Sequence, residues 1–337
     1  MIKILQGNCI DKIKELEDNS IDCVVSSPPY FGLRDYGVDG QFGLEKTYHD
    51  YLTNTVKVFE TFKPKLKDTA TIWWNVGDSY SSGKRTSTTN QSLRGDKNYG
   101  VTRTPVQNGI KEKDLLMIPN RVAIVLQDAG WYIRSEIIWH KPNPMPESVR
   151  DRPTSCHEKI WLITKNKKYY YDHESIKEPI TDTTAIRLLQ KNINNQKGSL
   201  RGNGGMKSNG NMKAMGRKKF DKNMGGSGTS FVDHSGYKKA DGSYMINSTR
   251  NKRNVWTITT KPFKDAHFAT FPKDLIEPCI KAGCPEGGVV LDPFGGSGTT
   301  GIVAALNNRN AILIELNQNY IDIANKRIDK EVGLFSG

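Results

Sequence analysis

The sequence lacks the marks of a membrane or cross-linked protein. No run of about 18 apolar residues occurs, which excludes a membrane-spanning helix. The start, MIKILQGNCI, has no basic-then-apolar layout of a secretory leader, so a cytoplasmic chain is expected. The five cysteines (Cys9, Cys23, Cys156, Cys279, Cys284) are odd in number, scattered and free of any CxxC spacing. That argues against a disulfide scaffold and a zinc centre and for a reducing compartment; no metal site is expected. No internal repeat is visible. Negative charge is the minority: 36 Asp plus Glu stand against 49 Lys plus Arg, a net +13 over 337 residues. Apolar residues, at 36%, are lean but sufficient for a sizeable core at this length.

The positive excess is concentrated. Residues 178–254 hold fifteen basic and five acidic side chains, and residues 81–113 hold seven and two. The remainder of the chain is close to neutral. Two basic segments on a near-neutral body point to a polyanionic partner rather than to a uniformly solvated surface. The stretch 198–242 also carries eleven of the 31 glycines, too little apolar material to fold alone.

Around these segments, strands and helices alternate. Ile21–Ser26 and Thr69–Val76 read as buried strands. Between them Leu44, Tyr48, Leu52, Val56, Phe59 and Phe62 recur at helical spacing. A helix is expected over Leu115–Gln127, strands over Tyr132–Trp139 and Lys159–Thr164, and a helix near Lys273–Ala282. A strand at Gly288–Asp292, a helix from Thr299, a strand at Ala311–Glu315 and a helix from Gln318 follow. This pattern predicts an α/β fold: a doubly wound, mostly parallel sheet covered on both faces.

Asp292-Pro293-Phe294-Gly295-Gly296-Ser297-Gly298-Thr299-Thr300-Gly301 sets a glycine-rich turn between a strand and a helix, where a backbone can approach a ligand closely. A P-loop needs Lys where Thr299 stands, which removes that reading. A dinucleotide fingerprint is met by Gly296, Gly298 and Gly301, with Glu315 placed for ribose hydroxyls. An S-adenosylmethionine site needs the same turn and the same acid. The leading Asp292 favours the methyl donor, because its carboxylate can face a cationic methionine end.

Ser27-Pro28-Pro29-Tyr30, followed by Phe31, stands directly after the strand Ile21–Ser26. Two prolines stiffen the chain and remove two amide donors. The Ser27 hydroxyl and the Pro28 carbonyl remain as acceptors beside an aromatic plane, an arrangement suited to the exocyclic amino group of an unstacked base.

Together these two motifs resemble those of the DNA amino-methyltransferases, in the permuted β class where the acceptor tetrapeptide precedes the donor motif. The resemblance covers the chain outside 81–113 and 178–254. It implies a Rossmann-like S-adenosyl-L-methionine-dependent methyltransferase fold, with residues 1–177 and 255–337 forming one catalytic domain and 178–254 a target-recognition insert. It implies double-stranded DNA as partner, base flipping, and a cytoplasmic, prokaryotic or phage-encoded enzyme for which a cognate restriction endonuclease is a candidate companion. Within it Ser27, Pro28, Pro29 and Tyr30 would be catalytic. Asn8, His267, Phe271, Asp292, Phe294, Gly296, Gly298, Thr299 and Glu315 would hold the donor, and Phe31, Trp139 and Lys141 would wall the base. Arg201, Lys213, Arg217, Lys218 and Lys219 are candidates for phosphate contact. Ser27 leans towards N4 of cytosine in such a family, although a hydroxyl and a carbonyl can accept equally from N6 of adenine. Three rivals stay open: a non-enzymatic DNA-binding protein, a nucleotide-dependent oxidoreductase and an RNA methyltransferase.

Overall fold

A computed structural model describes residues 1–33, 35–81, 109–183, 186, 236–238, 244–246, 248–260 and 271–333. Contacts divide the chain into two units, Met1–Ser175 with Arg253–Gly337, and Ile176–Lys252. Twelve strands are described: β1 Ile2–Gln6, β2 Ile21–Ser26, β3 Leu66–Val76, β4 Tyr132–His140, β5 His157–Thr164, β6 Glu178–Pro179, β7 Gly236–Lys238, β8 Tyr244–Ile246, β9 Thr249–Arg250, β10 Val255–Thr257, β11 Val289–Asp292 and β12 Asn310–Glu315. The helices are α1 Cys9–Lys14, α2 Tyr48–Phe62, α3 Ile118–Asp128, α4 Lys273–Gly283, α5 Thr299–Leu306 and α6 Gln318–Glu331.

The first unit is built on one eight-stranded sheet in the order β1-β12-β11-β2-β3-β5-β4-β10. Only the pairings of β5 with β3 and β4 are antiparallel; the other five are parallel. Every residue of β2 is buried, as a strand covered on both faces requires. Its one charge, Asp22, is held by Lys67 at 2.8 Å and by the Val289 amide at 2.9 Å. The chain leaves β2 through α2 towards β3, and leaves β11 through α5 towards β12. The sheet order therefore reverses between β2 and β11, and a crevice opens beyond their carboxyl ends.

The helix expected from Leu44 begins at Tyr48. Thr47 caps it: its Oγ1 accepts from the Asp50 amide while Asp50 accepts from the Thr47 amide, a reciprocal box that fixes the first turn. Leu44 lies outside the helix. From α2, Phe59 meets Trp74 of β3 and Trp131 edge-on, with centroids 5.0 and 5.4 Å apart. The helix expected over Leu115–Gln127 starts at Ile118, with Pro119 in its first turn, where a missing amide costs nothing. Sequence reasoning did not place β1, α1 or β10 in this unit, nor β6, β7, β8 or β9 in the other.

In the second unit, β6 pairs with β9 and β7 with β8, and Arg250 of β9 meets Glu178 of β6 at 2.9 Å. Among the described residues no helix is long and apolar enough to cross a membrane.

Candidate active site

A cleft of about 1360 Å³ occupies the crevice predicted by the strand order. The parallel strands β1, β12, β11, β2 and β3 end on this edge together, with Gln6 beside Glu315 and Asp292 beside Leu313. Strand β5 runs the other way, so its amino end arrives here: Lys159 pairs with Val76, and Glu158 with Trp139 of β4.

One side of the cleft is formed by the loop after β2. Ser27, Pro28, Pro29 and Tyr30 all line it. Tyr51 of α2 braces the loop by donating to the Pro29 carbonyl at 3.2 Å. The Tyr30 ring lies on the backbone of Gly77, where a Cβ would stand 2.5 Å from its Cε2. Burial and the neighbouring Glu158 push the Tyr30 hydroxyl well above its usual pKa, so it stays protonated. Tyr30 donates to Glu158 Oε2 at 2.7 Å, and Ser27 Oγ donates to the Tyr30 oxygen at 3.1 Å. Asn75 Nδ2 reaches Tyr30 at 2.7 Å, Glu158 at 3.0 Å and Ser27 at 3.3 Å. Lys141 is ion-paired to Glu158 Oε1 and stands 4.3 Å over the Trp139 ring, and both side chains line the cleft. Trp139 is otherwise buried, its Nε1 donating to the Ile258 carbonyl at 2.8 Å.

The opposite side is the glycine turn. Gly296 and Gly298 take φ of 50° and 81°, a region glycine enters without strain. The Gly296 amide donates to Glu315 Oε2 at 2.9 Å and the Asn317 amide to Glu315 Oε1 at 2.8 Å, leaving each carboxylate oxygen a second lone pair. Burial raises the Glu315 carboxyl above its ordinary pKa. No side chain caps α5 at Gly298. Asn8 caps α1 through its Oδ1 and, with Phe294, Gly296, Thr299, Glu315 and Phe271, lines the cleft.

Three assignments need correction. Asp292 does not reach the cleft: it is 1% exposed, and its Oδ1 accepts from Ser26 Oγ at 2.6 Å and the Phe294 amide at 3.1 Å, while Oδ2 accepts from Thr300 at 2.6 Å. Its role is to tie β2, the turn and α5 together. Gly298 turns its Cα towards α6, where a Cβ would come within 3.0 Å of Ala324 Cβ. Phe31 is 2% exposed and rests on Tyr51, centroids 5.7 Å apart, in the core instead of the base pocket. His267 and the five candidate phosphate contacts, Arg201, Lys213, Arg217, Lys218 and Lys219, lie outside the described residues.

Other residues were not singled out from sequence. Glu158 and Asn75 join Ser27 to Lys141, and Arg327 Nη1 clamps the glycine turn through Ser297 O at 2.7 Å and Thr299 Oγ1 at 2.9 Å. Asp78 accepts from the first amide of α3 at 3.1 Å beside the cleft. The only sequence signal for Glu158 is an acid directly before the strand expected over Lys159–Thr164.

Comparison with known proteins agrees with this geometry. A sequence profile of the DNA methylase family matches residues 21–326. The chain is 41% identical to the type II methyltransferase M.SmaI of Serratia marcescens, over 97% of this chain and 90% of that protein. It is 38% identical to M.Cfr9I of Citrobacter freundii, over 97% and 88%. In fold it is similar to the PvuII DNA methyltransferase (cytosine-N4-specific), with a TM-score of 0.57 at 16% identity over 97% of this chain and 86% of that one. It is also similar to a putative DNA modification methylase of Thermus thermophilus complexed with S-adenosyl-L-methionine, at a TM-score of 0.54 and 18% identity over 98% and 96%. With an acceptor loop and a glycine turn facing each other across one cleft, and relatives matching nearly end to end, the chain belongs to the N4-cytosine/N6-adenine DNA methylase family.

Proposed function

We propose that this enzyme transfers a methyl group from S-adenosyl-L-methionine to N4 of a cytosine flipped out of double-stranded DNA. The observation that carries this reading is the acceptor pair on the cleft. Among the described residues nothing donates to the Pro28 carbonyl, and the one hydrogen of Ser27 Oγ is committed to Tyr30. Both oxygens are therefore left to accept from the two N–H bonds of an amino group, which keeps its lone pair directed out of the base plane.

When bound, S-adenosylmethionine supplies a methyl carbon made electrophilic by its sulfonium. The residues present fit this donor. Glu315 offers lone pairs to ribose hydroxyls, the glycine turn lets backbone approach, and Asn8, Phe294 and Phe271 complete the wall. Tyr30 offers aromatic surface to the base, while Trp139, almost wholly buried, backs Lys141 on the cleft wall. Catalysis rests on positioning and on oriented acceptors, with no covalent enzyme intermediate. Cys23, buried in β2, is not a nucleophile here: burial holds its thiol protonated. The basic segment 178–254 would choose the DNA sequence, and the type II relatives make a cognate endonuclease a candidate companion.

Digestion of enzyme-treated DNA to nucleosides, resolved by mass, tests the assignment. N4-methyldeoxycytidine is expected; N6-methyldeoxyadenosine would move the target to adenine. Ser27→Ala should slow transfer by a factor matching one lost buried hydrogen bond, about 1–3 kcal/mol, and Tyr30→Ala should slow it further through lost stacking. Wild-type transfer by Tyr30→Ala would refute the pocket.

A further inference from the structure

The polar contacts beneath the acceptor loop have a direction. Lys141 Nζ and Asn75 Nδ2 can only donate, and a carboxylate can only accept, so Glu158 is the end towards which the hydrogens point. Tyr30 has one hydrogen, and it goes to Glu158 Oε2 at 2.7 Å. The Tyr30 oxygen is thereby left to accept, from Asn75 at 2.7 Å and from the Ser27 hydroxyl at 3.1 Å. With its hydrogen turned towards Tyr30, Ser27 Oγ can meet a substrate amino group only as an acceptor. The side chain of Glu158 is 16% exposed and lies on the cleft wall, with Lys141 on its other oxygen.

We propose that Glu158 sets the polarity of this chain and receives, through Tyr30 and Ser27, the proton that the methylated nitrogen sheds. This rests on the reading of Ser27–Tyr30 as the acceptor loop. The amino lone pair forms the new N–C bond, the C–S bond breaks, and its electron pair stays on sulfur, which becomes neutral. The nitrogen is left with one proton too many. That proton passes to Ser27 Oγ as the Ser27 hydrogen passes to Tyr30 and the Tyr30 hydrogen to Glu158, which becomes a neutral acid and returns the proton to water from the cleft. Glu158 reaches Ser27 through Tyr30, so in this proposal it is a positioning residue acting through Tyr30. In Glu158→Gln the new amide donates to Tyr30, the phenol hydrogen turns back towards Ser27, and the Ser27 hydrogen then faces the lone pair it should leave free.

The test uses the full-length enzyme in excess over unmethylated bacterial genomic DNA, single-turnover transfer of labelled methyl groups, and calorimetry of donor binding. Glu158→Gln should slow transfer about 100-fold while donor and DNA affinities stay within about twofold. Tyr30→Phe keeps the ring and cuts the same chain, so the double variant should be no slower than the slower single one. Wild-type transfer in Glu158→Gln, or losses that multiply in the double variant, would overturn the proposal. If Glu158→Gln fails to bind the donor, Tyr30→Phe decides alone, since slow transfer with intact donor binding supports the chain and wild-type transfer removes it. Ser27→Ala separates this idea from the one beneath it. Full activity there removes the acceptor loop itself, whereas slow Ser27→Ala with fast Glu158→Gln removes only the role of Glu158.

Discussion

Burial lifts the Asp292 carboxyl from 3.8 to about 6, against the opposing pull of the hydrogen bonds from Ser26, Thr300 and the Phe294 amide. A raised carboxyl means that the folded chain holds its proton more tightly than the unfolded chain does. The associated stability is fully present below pH 3.8 and is lost as pH rises through about 6, a loss of about 3 kcal/mol by neutrality. Asp292→Asn should keep both bonds to Oδ1, while Thr300 rotates to accept from the new amide. Denaturant midpoints measured from pH 4 to pH 7 should then decline less in the variant than in the parent; parallel curves would show that the tie carries no titration. The aspartate was legible as part of a motif but not in its role, because sequence cannot say which way a side chain turns at the end of a strand. Ser27 to Tyr30 could be read directly, since four adjacent residues carry their own geometry. Glu158 could not: it lies 128 residues from Tyr30 and joins it only because β5 runs antiparallel to its neighbours.

At the scale of elements, periodicity found five of the six described helices and half of the twelve described strands, and left their ends to local chemistry. The apolar spacing of α2 extends back to Leu44, yet the helix starts where Thr47 and Asp50 satisfy each other's amides. Thr47→Ala should therefore lower stability by about 1 kcal/mol, seen as a lower midpoint in thermal or denaturant unfolding with donor affinity unchanged. A variant as stable as the parent would show that burial of Tyr51, Phe59 and Phe62 alone sets the start of α2. The small elements β1 and α1 escaped notice for a related reason. β1 is half-exposed along most of its length and α1 spans six residues, so neither shows a strong period. Both matter to the cleft, because β1 pairs with β12 up to Glu315 and the turn from β1 into α1 places Asn8.

For the molecule as a whole, charge argues for the partner and the cleft for the reaction. The net +13 is carried by residues 81–113 and 178–254, while the remaining residues are close to neutral. DNA affinity should then come largely from counterions released as lysines and arginines meet phosphates. Each phosphate neutralised adds about 0.9 to the slope of log affinity against log salt, so six contacts would cost about a thousandfold between 50 and 200 mM. On the proposed reading the donor would be held differently, by the Glu315 carboxylate, the glycine turn and apolar walls at short range, where salt screens little. Titrations of duplex DNA and of S-adenosylmethionine across that salt range should show the first affinity collapsing and the second nearly flat. A flat DNA curve would mean that the two basic segments do not face the phosphates. A steep donor curve would place the methionine end near exposed charge, a role that the buried Asp292 no longer fills.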